Sequence, residues 1–272
     1  MVKINFSRLF LCIIIVAGGG FGRGEAISEE DLQWPEVVDN LKLTEAERAQ
    51  VEEMLENDLI GVLEFAREHY VNEVNDYTGV LYKQERLEDK LGKMQVAEFR
   101  FREEPFSIFM DWKKNPGPAD RLLYVEGERD GEMLAHPKGL LSIINSVKMK
   151  PDSKRARESS LQTADQFGFH KSLVRMLAVC RVAKEAGDLT ARYVGKEEEH
   201  KRMCYVIEGR LPEKEGYNYG RLVLYLDGEH LMPIDIRMYD WQERLIGWYI
   251  HTNLRFNVGL GDEDFTEKAC GF

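Results

Sequence analysis

Histidine and cysteine are the residue types from which this chain could build a metal site or a nucleophile. No two histidines have the HxxxH spacing that places two ligands on one helix face, because they stand at His69, His136, His170, His200, His230 and His251. The chain also lacks the GxSxG nucleophile elbow, the P-loop and the GxGxxG motif. We therefore predict no catalytic residue, no metal site and no cofactor, although a fold can still bring distant histidines together.

Three cysteines lie in the second half of the chain, at Cys180, Cys204 and Cys270. Three thiols allow at most one internal disulfide, which an exported protein can keep. The alternative is that each is a small buried apolar residue, because Cys180 falls in a helical pattern and Cys204 in a strand pattern. Cys180 also follows His170 by ten residues, but that spacing alone does not indicate a thiol nucleophile.

Clusters of charged residues are weaker candidates for a functional site. The acidic run at 197–199 is typical of a solvated hairpin tip, and the run at 262–264 lacks the alternating ligands and central glycine of a calcium loop. Lys154, Arg155 and Arg157 form a small basic patch in an acidic chain. This patch can contact an anionic head group, or it can be a flexible solvated loop.

Aromatic and methionine side chains alternate along several strand-like segments, and they are the remaining candidates for ligand binding. The alternative is ordinary core packing; the functional interpretation is a curved sheet whose concave face keeps an apolar cleft. We expect one set of side chains to line the space between sheet and helices: Phe99, Phe101, Phe106, Ile108, Met110, Trp112, Ile234, Ile236, Met238 and Trp248.

Composition limits the classes of partner. The chain has 272 residues, of which 43% are hydrophobic, and carries a net charge of −11. Binding to duplex nucleic acid needs lysine and arginine footprints on the phosphates, and docking on an anionic membrane needs a basic surface. The acidic balance therefore argues against nucleic acid and against electrostatic membrane binding.

The first 26 residues have the pattern of a secretory signal peptide. Lys3 and Arg8 precede a nine-residue apolar stretch at 9–17, and a small-x-small site ends at Ala26. The alternative is an uncleaved anchor, but spanning a bilayer takes about 20 apolar residues. We predict export to the periplasm or the medium, with no membrane span after cleavage.

Periodicity divides the rest of the chain. Residues 27–57 form an acidic arm and a helix, for which Thr44 and Glu47 supply a capping box. The helical stripe over 44–74 is either one long helix or two helices broken near Asn57 and Asp58. Residues 58–268 then form a single domain with a helical insertion at 139–188.

Within that domain, alternation with a period of two predicts antiparallel strands joined by short turns. The insertion holds a short apolar helix candidate at 139–146, a polar loop at 151–160 and a helix from Leu173 to Gly187. The overall pattern is α+β with one meandering sheet, whose strands we place at 77–85, 94–102, 106–112, 122–126, 132–136, 189–195, 202–210, 221–226, 233–240 and 244–256.

The strand segments carry short motifs that are specific when taken together: DYTG at 76–79, KQER at 83–86, EFRFR at 98–102, PFS at 105–107, LYVEG at 123–127, HP at 136–137, LMPI at 231–234, YDW at 239–241, LRFNVGL at 254–260 and DF at 264–265. Over roughly residues 58–266 the chain resembles an exported bacterial family, domain of unknown function 1571. That family is similar to the periplasmic lipoprotein-sorting carriers, which are called LolA-like.

The resemblance implies an incomplete antiparallel β-barrel with helices across its concave face. It also implies a cavity that shields acyl chains in an aqueous compartment. One fold hosts many functions, and the long segment 139–188 departs from the dedicated carriers. The expected function is a non-enzymatic carrier or binding protein for a lipid, a lipoprotein acyl chain or another apolar ligand. The alternatives are an envelope scaffold with a filled barrel and a hydrolase assembled from distant residues. The oligomeric state stays open.

Overall fold

The computed structural model of this protein describes residues 41–139 and 143–272. The predicted signal peptide and residues 27–40 of the acidic arm lie outside the described residues. Within the described part, no helix combines the length and the apolar character needed to cross a membrane.

In the described part of the chain, four α-helices lie on one side of a sheet: α1 Glu45–Asn57, α2 Leu59–Glu73, α3 Lys154–Arg157 and α4 Phe169–Glu185. The capping box at the start of α1 is present, with the Thr44 side chain accepting from the Glu47 amide and Glu47 accepting from the Thr44 amide. The helical region does break near Asp58, because the Asp58 side chain caps α2 by accepting from the Gly61 amide at 3.1 Å.

The sheet has twelve strands: β1 Asp76–Leu87, β2 Lys90–Leu91, β3 Gln95–Arg102, β4 Ser107–Lys114, β5 Ala119–Val125, β6 Met133–Pro137, β7 Val147–Met149, β8 Thr190–Glu199, β9 Arg202–Arg210, β10 Arg221–Asp227, β11 Pro233–Tyr239 and β12 Leu245–Phe256. All pairings are antiparallel, in the order β7-β6-β5-β4-β3-β1-β12-β11-β10-β9-β8, and β2 pairs with β1. The sheet is not closed, since β7 and β8 lie at its two ends. The predicted fold class, an open antiparallel sheet with helices on one face, is confirmed.

The strands on either side of the segment 139–188 join at the centre of this sheet. β1 pairs with β12, with Leu81 opposite His251 and Tyr77 opposite Phe256. Because β1 precedes this segment and β12 follows it, their pairing joins the strands of both halves of the chain into one continuous sheet.

An aromatic cluster packs between the sheet and α4. Tyr77 is its centre, and its ring centroid lies 5.0–5.6 Å from four other rings, those of Phe99, Phe101, Phe169 and Phe256. Gly168, just before α4, has φ +103°, and a Cβ there would lie 2.9 Å from the Phe101 ring. Glycine therefore lets α4 begin directly against the cluster.

A second apolar cluster lies under α1, α2 and α4. Val51 and Leu55 of α1, Val62 and Ala66 of α2 and Leu173 of α4 are all buried in it, against β9 and β10. Each helix buries the apolar stripe that its sequence predicts.

The segment between β6 and α4 differs from the sequence-based expectation. Residues 143–146 are not helical, and residues 140–142 lie outside the described residues. The short edge strand β7 follows instead. Residues 150–168, here called the strap, contain α3 and the one-turn helix 164–166 rather than only a loop. Ala156 of the strap is 9% exposed, so part of the predicted solvated loop packs against the protein.

Candidate functional site

An apolar cavity of about 160 Å³ lies between the sheet, α4 and the strap. Its sheet wall is formed by side chains of β1, β3–β7, β11 and β12, including Leu81, Met110, Leu122, Met133 and Met149. Helix α4 closes the opposite side with Phe169, Ser172 and Arg175. A concave, mostly apolar space with a few polar groups is the usual form of a small-molecule site.

Curvature of the sheet creates this space. Met149 of β7 and Tyr249 of β12 both line the cavity, although six inter-strand steps separate their strands in sheet order. In a flat sheet six steps cover about 29 Å, at roughly 4.8 Å per step. The sheet must therefore bend around the cavity, as an incomplete barrel does.

The strap covers the cavity. Its lining residues are Arg155, Ala156, Ser159, Ser160, Gln162, Thr163, Ala164, Phe167 and Gly168. Phe167 is also part of the core, since its ring centroid lies 5.0 Å from that of Phe99. The strap is thus anchored at its C-terminal end, beside α4.

Three of the ten side chains expected at the site line the cavity, namely Met110, Trp112 and Ile236. The Trp112 indole is held by a hydrogen bond from Nε1 to Gln95 Oε1 at 3.2 Å. Five others belong to the closed core beside it: Phe99, Phe101, Phe106, Ile108 and Ile234. Core packing excludes those five from the cavity surface.

The last two expected residues lie elsewhere. Met238 packs between the two large apolar clusters. Trp248 lies on the opposite face of β12 from Tyr249, because successive strand residues alternate between faces. There it packs beside Tyr82 and Ile250, and its Nε1 donates to Asp235 Oδ1 at 2.9 Å.

A polar network closes one end of the cavity. Lys83 Nζ lies 3.2 Å from Glu85 Oε2 and donates to Ser160 Oγ at 3.0 Å. Tyr249 Oη donates to Glu85 Oε1 at 2.7 Å, and Ser160 Oγ donates to the same oxygen at 3.3 Å. Burial, reinforced by the Glu85 charge, raises the pKa of Tyr249, so its phenol stays protonated and keeps donating.

Arg175 brings a second cation to this region. Its Nη1 donates to the Gln166 carbonyl oxygen at 2.9 Å, and its Nη2 lies 3.4 Å from Gln162 Oε1. Burial lowers the pKa of Arg175, while Tyr249 and Asp165 oppose that shift. An arginine keeps its charge at neutral pH even so.

His251 forms part of the cavity wall next to the aromatic cluster. Its ring centroid lies 4.8 Å from that of Phe169 and 6.2 Å from that of Phe99, and its buried Nδ1 has no hydrogen-bond partner. Burial lowers the pKa of His251 to about 4, because the apolar rings disfavour the charged imidazolium. His251 is therefore neutral at pH 7.

Sequence patterns do not predict that Lys83, Arg175, Tyr249 or His251 lies at a binding site, although Lys83 stands in one family motif and His251 is among the histidines considered as metal ligands. The one usable signal is on α4, where Phe169, Ser172 and Arg175 recur every three residues and so share a helix face. That face meets the cavity only because the sheet curves and the strap crosses it, and neither feature is encoded in local periodicity.

Among the described residues, the fold brings together one group of three histidine and carboxylate side chains close enough to hold a metal ion, which no sequence spacing predicts. Ligand atoms of Glu199, His200 and Asp235 lie within 4.8 Å of one another. The Arg237 guanidinium, however, bonds Glu199 at 2.7 Å and Asp235 at 2.8 Å. A cation already neutralises both carboxylates, so the cluster is an ion-pair network. Glu199 is the last residue of β8, beside the turn to β9, and Glu197 and Glu198 are exposed, so the acidic run does lie at the tip of a hairpin.

The cysteines have the wrong environment for a nucleophile. Burial raises the pKa of the Cys204 thiol to about 12 and that of Cys270 to about 11. Burial also raises the pKa of Cys180, which lies in α4 about 15 Å along the helix from His170 at 1.5 Å per residue. A thiol attacks as the thiolate, and these environments oppose its formation.

Several solved structures are similar to this chain at low identity. The MucA/MucB complex of Pseudomonas aeruginosa matches with 15% identity and a TM-score of 0.44, over 77% of this chain and 60% of that one. The lipoprotein LppX of Mycobacterium tuberculosis matches with 10% identity and a TM-score of 0.40, over 75% and 98%. A LolA superfamily protein of Nitrosomonas europaea matches with 10% identity and a TM-score of 0.30, over 77% and 97%. Because each TM-score is below 0.5, no ligand or partner follows from these matches.

No curated protein matches this chain. The family model for DUF1571, described as a protein of unknown function, does match it, over residues 74–270. That span begins just after α2, ends fourteen residues beyond β12, and includes every strand of the sheet and every residue that lines the cavity. The resemblance of the strand motifs is thereby confirmed, and the chain belongs to the DUF1571 family.

Proposed function

We propose that this protein is an exported, non-enzymatic binding or carrier protein of the cell envelope, whose ligand is a lipid, a lipoprotein acyl chain or another apolar molecule. The observation that carries the proposal is the cavity on the concave face of the sheet, lined by Leu81, Met110, Trp112, Leu122 and Met149. This space supports an open barrel over the alternative of a filled one. Export rests on the signal-peptide pattern of residues 1–26.

Apolar burial supplies the binding energy without any catalytic group. Each methylene moved from water into an apolar site contributes about 0.8 kcal/mol. About five buried methylenes are therefore needed to offset even the lower end of the cost of immobilising a ligand, which is about 4 kcal/mol. Each further buried methylene adds to the affinity, and no catalytic group is needed.

The size of the cavity sets how much of a ligand fits. An apolar cavity of about 150 Å³ in another protein stays dry and binds benzene, and the cavity here has about 160 Å³. A short apolar segment fits the space as it stands. A longer acyl chain requires the strap to move outward. The contacts of the strap with the sheet include the buried Ala156, the Ser160 hydrogen bonds with Lys83 and Glu85, and the Phe167 ring against Phe99.

Filling the cavity tests the proposal. Ala135 of β6 lines the cavity and is 6% exposed. Ala135→Leu should weaken saturable binding of an environment-sensitive fatty-acid probe at least tenfold, which corresponds to about 1.4 kcal/mol. Because the added carbons enter existing space, the free energy of unfolding should change by less than about 1 kcal/mol.

Ala178→Leu is the matched control, because Ala178 lies on the exposed side of α4 and does not line the cavity. It should leave probe binding unchanged. If the wild-type protein binds no probe saturably, across fatty acids, phospholipids and acylated peptides, the binding function is wrong and an envelope scaffold becomes the better explanation.

A further inference from the structure

The charged side chains that line the cavity are all cationic. Among the described residues, its lining includes three cationic side chains, Lys83, Arg155 and Arg175, and no aspartate or glutamate. This occurs in a chain whose net charge is −11. Lys83 is already paired with Glu85 at 3.2 Å, so Arg155 and Arg175 are the cations that give this apolar space the charge of a site for an anion attached to an apolar chain.

Arg175 is the cation best placed to bind such a group. It projects from α4 into the lining and is half-buried. Its two hydrogen bonds go to neutral acceptors, the Gln166 carbonyl and the Gln162 side chain. A guanidinium has five N–H donors, so three remain for a ligand. No carboxylate oxygen of the described residues lies within the 4.0 Å that defines an ion pair with it.

The nearest acidic groups already have partners. Glu85 is 7% exposed and is held by Lys83, Ser160 and Tyr249. Asp165 of the strap accepts a hydrogen bond from the Thr163 hydroxyl. Neither carboxylate neutralises Arg175 by direct contact, although Asp165 is close enough to raise its pKa. A half-buried guanidinium without an ionic partner is costly unless a ligand provides one.

Resting on the proposed binding function, we propose that the ligand is a single-chain amphiphile with an anionic oxygen head group, a carboxylate or a phosphate monoester. The Arg175 guanidinium binds the head group, and the apolar chain lies along Met110, Trp112 and Leu122. Arginine suits this task because its planar fork bonds two oxygens of one carboxylate or phosphate. Arg155 of the strap, which is exposed, adds a second positive charge at the same cavity.

Three ligands with the same twelve-carbon chain separate head group from chain: dodecanoate, dodecyl phosphate and 1-dodecanol. Their binding to the full-length protein is measured at pH 8, below the concentrations at which micelles form. We expect at least one of the two anions to bind roughly 10- to 100-fold more tightly than the alcohol, as charge-assisted hydrogen bonds do. The tighter anion identifies which head group the site takes.

The Arg175→Gln variant keeps a polar side chain but removes the charge. It should lose that 10- to 100-fold preference while binding 1-dodecanol as the wild type does, and Arg175→Lys should retain part of the preference. Arg181→Gln is the control, because Arg181 lies on the same helix, is exposed and pairs with Glu64 at 2.7 Å. It should not change the preference.

The outcomes separate this inference from the binding function itself. If the anions and the alcohol bind the wild type equally, or if Arg175→Gln keeps the full preference, the head-group assignment is wrong and apolar binding stands. If none of the three ligands binds, the assignment of a single-chain anionic ligand is wrong, and the binding function is then decided by the wider set of fatty acids, phospholipids and acylated peptides. The comparison of the two anions with the alcohol, made on the wild-type protein, tests the head-group preference even where a variant is too unstable to purify.

Discussion

At the scale of single residues, His251 makes the stability of the folded protein depend on pH. Its pKa is about 4 in the folded protein, against about 6.5 for an unfolded chain. The unfolded state therefore binds the proton more tightly than the folded state. The stability that neutral His251 allows is fully present above pH 6.5 and is lost as the pH falls toward 4.

His251→Phe should remove this sensitivity. An apolar ring fits among Phe99, Phe167 and Phe169, which already surround the imidazole. Between pH 7 and pH 5 the wild-type protein should lose about 2 kcal/mol more unfolding free energy than the variant does. Denaturant unfolding at a series of pH values measures this difference, and parallel curves for the two proteins would contradict it.

At the scale of elements, the break between α1 and α2 depends on one side chain. Asp58 ends α1 and caps α2 through its hydrogen bond from the Gly61 amide. Without the break, a single straight helix would point one of the two apolar stripes away from the sheet. Val51 and Leu55 of α1 would then not share a cluster with Val62 and Ala66 of α2.

Asp58→Ala should destabilise the protein by about 1 kcal/mol, the typical value of an N-cap. Asp58→Asn should cost less than half as much, because asparagine caps helices about as well as aspartate. Thermal unfolding of the two variants beside the wild type provides the measurement. Equal destabilisation by Ala and Asn would show that the charge of Asp58, rather than its capping hydrogen bond, stabilises this junction.

At the scale of the whole molecule, the curved sheet holds together segments from the two halves of the chain. The central pair β1 and β12 brings residues near 80 beside residues near 250, and the aromatic cluster adds Phe256 to Tyr77. The two halves of the chain are therefore joined by strand pairing within the sheet, and the strap is only a further covalent connection between them. Cutting the strap should not separate the halves.

Trypsin tests this at Lys154, Arg155 and Arg157, which are all exposed on the strap. Brief digestion should cleave there first and yield two fragments on a denaturing gel. Under native conditions the fragments should elute together, because β1 stays paired with β12 and both fragments share the apolar core. Two fragments that separate in native gel filtration would mean that the halves are independent domains.

Local patterns in the sequence determined much of this architecture. Alternation over 202–210 predicts β9 with the bounds that the structure shows, and the capping box predicts the first residue of α1. These two predictions are correct because a half-buried strand and a capped helix both depend on neighbours a few residues away in the sequence. The family motifs succeed for the same reason, since each is a short run of strand or turn residues.

Only the tertiary structure decided where the cavity lies and which residues reach it. β7 has three residues, too few for any periodicity, yet it forms one edge of the cavity wall. Trp248 and Tyr249 are adjacent, but only Tyr249 faces the cavity, and which face of β12 turns inward depends on pairing with β1 and β11. Arg175 becomes a candidate ligand-binding residue only when the sheet bends toward α4 and the strap crosses above. Strand pairing, curvature and strap placement arise from contacts between residues far apart in the chain, which local sequence patterns do not encode.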